Sequence, residues 1–242
     1  MADNSSHLFR TVRVGRASED IVHQIKNNIF EGRLGPGDRL PSEKELIEQF
    51  GVSRITVRDA MRVLESQGLV EIKVGAGGGA FVSTPGSGPI TQVLTDMLRL
   101  HGISTSELVE ARLVIETSIV TFAAERATPE DIECMRKAIA EARASRAAGE
   151  PRFTPHSINF HIALAKAARN QVLFFTVSSF RTPFYETLEK LLPDDRMADR
   201  AIDDHQKLLD AITAHDAESG CQVMKEHLAY FQKRTEKLDR FR

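Results

Sequence analysis

The segment from Pro41 to Gly68 constrains the fold most strongly, because it signals two helix starts and two helix ends in a short stretch. The sequence PSEKE at its beginning contains an S-x-x-E capping box, and Gly51 is suited to end the short helix that follows. Ser53 predicts the N-cap of a second helix over about 53–67, which the glycine after it ends. Two helices joined by a three-residue turn containing glycine have the outline of a helix-turn-helix.

A helix precedes this motif and a hairpin follows it. Apolar residues at helical spacing between Ser18 and Leu34 predict a helix with Ser18 as its N-cap, which should stop around Gly32–Gly37. The alternating segment Leu69–Val74, the run GAGGG and the segment Ala80–Ser83 predict a strand, a glycine turn and a second strand. A phosphate-binding loop is the alternative for GAGGG, but such a loop opens a helix rather than a strand. The arrangement predicts a winged helix.

Three arginines lie four residues apart on the last helix of the motif: Arg54, Arg58 and Arg62. One alternative is a solvated surface helix that happens to carry arginines. In a winged helix, however, the N-terminal end of this helix enters the DNA major groove, so Arg54 and Arg58 are expected to reach guanine edges or phosphates. Arg62 is expected to meet phosphate or solvent, and the hydroxyls of Ser53 and Thr56 can hydrogen-bond phosphate or a base edge.

Charge and composition narrow the class of nucleic-acid contact. The chain has a net charge of -2, and residues 1–85 carry 11 basic and 11 acidic side chains, so DNA binding must depend on local placement of charge. A second basic cluster, Arg10, Arg13 and Arg16, precedes the first helix. Tryptophan is absent and tyrosine occurs twice, which argues against a base-stacking platform for single strands.

The sequence also indicates the compartment. No apolar run approaches the roughly 20 residues of a membrane span, and the N-terminus has no apolar segment of the signal-peptide kind. Cys134 and Cys221 lie far apart, which favours two buried free thiols in a reducing compartment over a disulfide. We therefore expect a cytoplasmic protein with no membrane partner.

A linker at residues 85–89 is predicted to separate a winged helix-turn-helix domain, residues 1–84, from an all-α domain, residues 90–242. Ser104 with Glu107 and Thr128 with Asp131 are capping boxes. The predicted helices cover about 90–101, 104–127, 129–148, 154–169, 171–191, 196–215 and 217–240. The fold class is mainly α, with a C-terminal bundle of about seven helices.

The N-terminal motif resembles the DNA-binding domain of the GntR family of bacterial transcription regulators. The resemblance is carried by Leu40–Val82, LPSEKELIEQFGVSRITVRDAMRVLESQGLVEIKVGAGGGAFV. Ile55 stands where some members have a polar residue that contacts DNA. The resemblance implies that operator DNA is contacted by Arg39, Lys44, Ser53, Arg54, Thr56, Arg58 and Gly75.

Three histidines on three predicted helices of the bundle, His161, His205 and His227, are candidates for chemistry. If they converge, they suit zinc, nickel or another borderline divalent metal. The alternative is three separate, hydrogen-bonded histidines without a metal. No paired-cysteine or His-Glu-x-x-His motif decides between these readings.

The helical region is similar to the ligand-sensing FCD domain of the FadR-type branch of the same family. The matching pieces are ELVEARLVIETSIVTFAAERAT, NFHIALAKAARNQVL, DDHQKLLDAI and MKEHL. The resemblance implies that the three histidines bind a divalent metal beside an effector pocket. The usual fourth ligand is an aspartate four residues before the first histidine, where this chain has Ser157, so water or effector oxygens are expected to complete the site.

Arg112 matches a position that in the family points into the pocket and holds an effector carboxylate. The alternative is a surface ion pair with Glu116, one helical turn further on. A small organic acid is therefore the expected effector.

The expected function is a ligand-responsive regulator, a repressor that binds a palindromic operator as a homodimer. One alternative is a metal-dependent enzyme domain fused to a DNA-binding module, although no motif places a general base beside the histidines. Another is an architectural DNA-binding protein that senses no ligand.

Overall fold

The computed structural model describes residues 16–75, 77–84, 86, 88–149, 154–190 and 194–239. These residues form a mainly α fold with a two-stranded sheet, as predicted. The elements are α1 (Arg16–Phe30), α2 (Glu43–Phe50), α3 (Arg54–Ser66), β1 (Val70–Lys73), β2 (Gly79–Val82), α4 (Gly88–Leu100), α5 (Thr105–Arg126), α6 (Pro129–Ala147), α7 (Thr154–Ala167), α8 (Gln171–Ser179), α9 (Arg181–Lys190), α10 (Asp195–Thr213) and α11 (Ala217–Asp239).

The chain divides into two compact units, an N-terminal unit up to Pro89 and a C-terminal unit from Ile90. α4 begins at Gly88, so the last two residues of the predicted linker, 88 and 89, belong to a helix. Pro85 and Ser87 lie outside the described residues, as do Arg10 and Arg13 of the predicted basic cluster. Arg16, the third member of that cluster, is the first residue of α1.

The core of the N-terminal unit lies where α1, α2, α3 and β1 meet. The helices contribute one apolar face each, because their apolar residues recur every three or four positions. α3 packs between α1 and α2 and is contacted by β1. The buried apolar residues are Ile21, Val22, Ile25, Leu40, Leu46, Val57, Ala60, Leu64 and Val70.

The predicted boundaries of the helix-turn-helix are confirmed. Ser42 and Glu45 form the reciprocal capping box of α2, and Gly51 ends that helix in the left-handed conformation with φ +65°. The Ser53 side chain accepts the backbone N–H of Thr56 as the N-cap of α3. These local contacts set the turn between α2 and α3.

The predicted N-cap of α1 was wrong, and the helix ends two residues before the predicted glycine-rich stop. The helix begins at Arg16, so Ser18 lies inside its first turn rather than at its N-cap. It ends at Phe30, and Gly32, the first residue of the predicted stop, turns the chain with φ +74°. The carbonyl of Asn28 then accepts the N–H groups of both Arg33 and Leu34, at 2.9 and 3.1 Å.

β1 and β2 form the predicted antiparallel hairpin, with Val70 opposite Val82 and Lys73 opposite Gly79. The turn between them requires glycine at Gly78, since a Cβ there would lie 2.4 Å from the carbonyl oxygen of Lys73. Gly75 has φ +112°, a backbone conformation that is strained for residues with a side chain. The hairpin is the wing of the winged helix.

The C-terminal unit is a bundle of eight helices within the described residues, α4 to α11. Its core is continuous, and α5 packs along α11 while α6 packs against α7 and α10. The capping boxes predicted at Ser104 and Thr128 are present. Pro129 occupies the first position of α6, where its missing N–H costs no hydrogen bond.

The predicted helix over 171–191 is two helices, α8 and α9, which meet at Phe180. The N–H of Phe180 bonds back to Val177 at 3.1 Å, a tight turn that closes α8. Pro183 has no N–H to donate to Ser179, so a continuous helix would lose a hydrogen bond there. The bundle therefore has one helix more than the seven predicted from periodicity.

Two further findings concern the chain as a whole. None of the helices in the described part of the chain combines the length and apolar character needed to cross a bilayer. Both cysteines are free thiols, but Cys134 is exposed and Cys221 is half-buried, so the prediction of two buried thiols was wrong. The buried face of α6 includes Asp131, Met135 and Ala138, which leaves Cys134 on the solvent side.

Candidate nucleic-acid surface and buried histidine cluster

α3 separates its apolar and basic residues onto different faces. Val57, Ala60 and Leu64 are buried, whereas Arg54 and Arg58 are exposed. The spacing of four residues keeps the arginines in a stripe on the side turned away from the core. The exposed face of α3 is therefore positively charged, and α3 is the helix that a winged helix inserts into DNA.

The three arginines differ in their partners. Arg54 Nε lies 3.1 Å from Glu43, and Arg62 Nη1 lies 3.7 Å from Asp59. Among the residues that the structure describes, no acidic side chain pairs with Arg58. Arg58 is thus the guanidinium of the stripe that is most available to an external anion.

The remaining predicted contacts on the helix-turn-helix are already partly engaged. Ser53 Oγ and Thr56 Oγ1 hydrogen-bond each other at 2.9 Å, in addition to the N-cap bond. Lys44 is exposed and lies 3.8 Å from Glu48, one turn along α2. An exposed pair of this kind contributes little to stability, so Lys44 can leave it for a phosphate.

Arg39 has a structural role that the sequence did not indicate. Its Nη2 donates to the carbonyl oxygen of Gly78 at 2.7 Å, and its backbone bridges to Phe81. Arg39 therefore connects the segment between α1 and α2 to the turn of the wing. A groove between the wing and the helix-turn-helix is lined by Arg39, Arg58 and Arg62, together with Glu43 and Glu65. Gly75 lies at the tip of the wing.

In the C-terminal unit, three helices bring His161, His205 and His227 together. They belong to α7, α10 and α11, and all three side chains are buried. Their ring centroids are 5.0 to 5.3 Å apart, and each ring offers one nitrogen within 4.8 Å of the others. The three histidines are therefore one cluster and not three separate side chains.

Aromatic side chains hold two of these rings. Phe160 stacks on His205 with centroids 4.2 Å apart and planes 12° apart. Phe231 meets His227 edge to face at 5.0 Å. Since Phe160 precedes His161 and Phe231 lies one turn after His227, the apolar pattern of α7 and α11 also orients the cluster.

Two carboxylates orient the cluster from behind. The Glu116 carboxylate hydrogen-bonds Nδ1 of His161, and Asp204 Oδ2 lies 3.4 Å from Nδ1 of His227. Each carboxylate also binds an arginine one turn earlier on its own helix, Arg112 for Glu116 and Arg200 for Asp204. Carboxylates in this position fix the histidine tautomer and leave Nε2 free to bind a metal.

The sequence does not predict these orienting roles. Its spacing indicates Glu116 only as a partner of Arg112 and indicates no histidine partner for Asp204. The available signal was the arginine-to-acid spacing of four residues, which occurs on both α5 and α10. The contact between each acid and a histidine on another helix depends on packing and has no signature in the sequence.

The electrostatics of the cluster favour neutral imidazoles at His161 and His205. Burial alone would raise the pKa of Glu116, but the neighbouring Arg112 and His161 outweigh it and lower that pKa to about 2. Burial lowers the pKa of His161 to about 4, although Glu116 opposes this shift. Burial also holds the pKa of His205 well below its usual range, reinforced by the other two histidines. At neutral pH the ring nitrogens of His161 and His205 can therefore act as metal ligands.

The spacing of the ring nitrogens fits a metal. Nε2 of His161 and Nε2 of His205 lie 3.3 Å apart. Two ligands bound to zinc at about 2.0–2.1 Å in tetrahedral geometry have this separation. Ser157 is buried one turn before His161, so this position offers a hydroxyl and no carboxylate. The three imidazoles can hold a divalent ion with at least one position open.

Arg112 is buried rather than paired at the surface. Its Nε donates to Glu116 at 2.5 Å, and its guanidinium lies 3.6 Å from the centroid of the Phe184 ring. Its Nη1 is buried without a hydrogen-bond partner among the described residues. A small cavity beside it is also lined by His161 and Arg181. A buried, unsatisfied guanidinium nitrogen is costly unless an anion completes it.

Comparison with known proteins identifies both units. The family "Bacterial regulatory proteins, gntR family" matches residues 17–82, and the FCD domain matches residues 107–230. The Uxu operon transcriptional regulator of Escherichia coli (strain K12) is 31% identical over 228 residues, which cover 90% of this chain and 86% of that protein. The putative L-lactate dehydrogenase operon regulatory protein of the same organism is 30% identical over 241 residues, which cover 93% and 88%.

A solved structure supports the fold. Streptococcus agalactiae GntR has a TM-score of 0.68 and 24% identity, with 89% of this chain and 99% of that chain covered. The matched families and named relatives are transcription regulators and not enzymes. The chain belongs to the GntR family of bacterial transcription regulators, and its C-terminal unit is an FCD domain.

Proposed function

We propose that this regulator is a cytoplasmic repressor that binds a palindromic operator as a homodimer and is controlled by a small organic acid beside a bound divalent metal. One observation carries the ligand-sensing part of the proposal. Arg112, whose Nη1 has no hydrogen-bond partner among the described residues, and His161 line the same small cavity. A carboxylate there would satisfy the guanidinium and reach the histidine cluster together.

The DNA-binding part rests on the exposed face of α3 and on the wing. Arg58 is available to a guanine edge or a phosphate, and Arg54 and Lys44 are in exposed ion pairs that a phosphate can replace. Ser53 and Thr56 lie at the helix end that enters the groove. Gly75 lets the tip of the wing approach a sugar-phosphate backbone, while Arg39 holds the wing in place. Two copies related by a two-fold axis would match two half-sites.

The metal would be held by His161, His205 and His227. Zinc and nickel suit three imidazole ligands, and a bound divalent ion supplies a positive centre with an open position. Glu116 and Asp204 keep two of the rings in the tautomer that ligation needs. Because Ser157 supplies no carboxylate, the site keeps more positive charge for an anionic effector.

The effector would be bound mainly by Arg112. Its paired N–H groups match the two oxygens of a carboxylate, and Glu116 holds the guanidinium in position through Nε. One relative is named for an L-lactate dehydrogenase operon, which makes L-lactate a reasonable first probe for this chain. An effector can regulate DNA binding only by binding more tightly to one arrangement of the dimer than to the other.

A thermal-shift experiment tests the ligand site. The full-length protein is heated with L-lactate, succinate or citrate, with and without added zinc or nickel. A ligand that binds the folded state raises the melting temperature, by an amount equivalent to about 2.7 kcal/mol at 100 times its Kd. We expect a carboxylate to raise it in wild type and not in Arg112→Gln. Equal shifts in both proteins would contradict the role of Arg112.

A further inference from the structure

Ile55 is an apolar residue in an unexpected place. It is the second residue of α3, and it is 73% exposed. Single exposed apolar residues are common on protein surfaces and need no explanation by themselves. Ile55, however, lies in the first turn of the helix whose N-terminal end faces the major groove in a winged helix.

The polar neighbours of Ile55 are engaged with each other. Ser53 and Thr56 share a hydrogen bond, and Ser53 also caps the helix. Arg54 is held by Glu43. Among the exposed side chains in the first turn of α3, Ile55 can therefore meet a base edge without first breaking a contact.

The chemistry of an isoleucine side chain selects one base. Among the four bases, thymine alone presents a methyl group in the major groove, and apolar side chains contact it there. A β-branched side chain on a helix has one strongly preferred χ1 rotamer, so little freedom is lost when it makes such a contact. We propose that Ile55 is a specificity-determining residue that recognises the C5-methyl group of a thymine in each operator half-site.

The position of that thymine follows from the helix. Ile55 and Arg58 are three residues apart on one face, which is about 4.5 Å along the helix axis. The rise between base pairs is about 3.4 Å. The thymine should therefore lie within one or two base pairs of the base or phosphate that Arg58 contacts. This inference rests on the proposed binding of operator DNA by α3.

The test first selects preferred sites from randomised duplexes with the full-length protein. Each thymine of the selected site is then replaced by deoxyuridine, which lacks the methyl group, and the Kd is measured by fluorescence anisotropy. We expect one thymine position in each half-site to be sensitive. Replacement at that position should weaken wild-type binding about fourfold, the value for removing one buried methyl group. Ile55→Ala should bind the thymine and uracil duplexes equally, whereas Val63→Ala, altered further along α3, should retain the difference.

Three results would overturn the inference in distinguishable ways. If wild type selects a site but no uracil replacement weakens binding, Ile55 does not recognise a thymine methyl group and the regulator function stands. If Ile55→Ala retains the full uracil effect, another residue makes the contact. If no preferred site is recovered, the proposed operator binding fails together with the inference.

Discussion

The two units of this regulator place their charged side chains in opposite ways. The described residues of the N-terminal unit include no buried charged or polar side chain. The C-terminal unit buries Arg112, Glu116 and Asp204 together with the three histidines. Exposed cations suit a large polyanion that arrives from solvent, whereas buried charges suit a small ligand that must be held in one geometry. The same chain thus contains both solutions.

The charges around the histidine cluster are arranged in two similar series. Arg112, Glu116 and His161 form one, and Arg200, Asp204 and His227 form the other. In each, an arginine binds an acid one turn later on its helix, and the acid faces a histidine on another helix. Pairing is required because an isolated buried charge costs several kcal/mol. The N-terminal unit needs no such pairing, since water solvates its charges.

The largest expected effect concerns the exposed surface. Arg58→Ala should weaken specific operator binding by roughly 5- to 150-fold for each half-site, the range for loss of a bidentate arginine contact. Fold and dimerisation should be unchanged, because the Arg58 side chain is exposed and is not part of the buried face of α3. The measurement is the Kd for a selected operator by fluorescence anisotropy.

Arg62→Ala is the matched control for this change. Arg62 lies one turn further on and is partly neutralised by Asp59. Its loss should weaken binding to selected and random duplexes by similar, smaller factors, as for a phosphate contact. An Arg58→Ala protein that binds the operator as tightly as wild type would refute the assigned orientation of α3.

The second prediction concerns the buried histidine cluster of the C-terminal unit. Purified, tag-free protein should contain close to one equivalent of a transition metal per chain, since three imidazoles converge. The double variant His161→Ala/His205→Ala should contain no bound metal, because one remaining imidazole cannot retain the ion. Metal analysis by mass spectrometry gives the content. His101→Ala is the control, since His101 is exposed in the turn after α4.

Background metal in the wild-type protein, also after incubation with zinc or nickel and desalting, would remove the metal from this account. Equal metal content in the double variant and in His101→Ala would instead move the site away from the cluster.

A smaller effect on metal affinity is expected from Glu116, the carboxylate that orients His161. Glu116→Gln keeps the size of the side chain but removes the charge that orients His161, and loss of such a partner typically weakens metal binding about 10- to 100-fold. The metal Kd is measured by competition with a chelating dye. Glu110→Gln, exposed on the same helix, is the control and should match wild type.

Glu116→Gln also removes the partner of Arg112. Unfolding measured in the presence of a chelator therefore reports the lost ion pair separately from the lost metal affinity. A variant that is destabilised in chelator yet binds metal as tightly as wild type would assign Glu116 to Arg112 alone.

The two units also differ in how far sequence predicts them. The helix-turn-helix and wing are encoded by local signals, such as the capping box at Ser42 and the glycine turn at Gly78, so their elements could be predicted in order. The helices of the bundle were predicted from the same kind of signal. The convergence of His161, His205 and His227 depends on packing between distant segments, and spacing alone left it undecided.

Several features could not be predicted for identifiable reasons. Phe180 ends α8 within a continuous apolar pattern, which favours one long helix although Pro183 follows three residues later. The orienting role of Glu116 depends on the distance between α5 and α7, which no local pattern encodes. Ser18 resembled an N-cap, but the helix continues one further half-turn towards Arg16.

We propose above all that ligand binding at the buried cluster controls DNA binding by the exposed surface. The most direct test of this proposal is the operator Kd of the metal-loaded, full-length protein with and without a carboxylate that raises its melting temperature. We expect the Kd to change by about 5- to 150-fold, the usual range of coupling between two sites, and to stay constant in Arg112→Gln. An operator Kd that is the same with and without the bound carboxylate would contradict the claim.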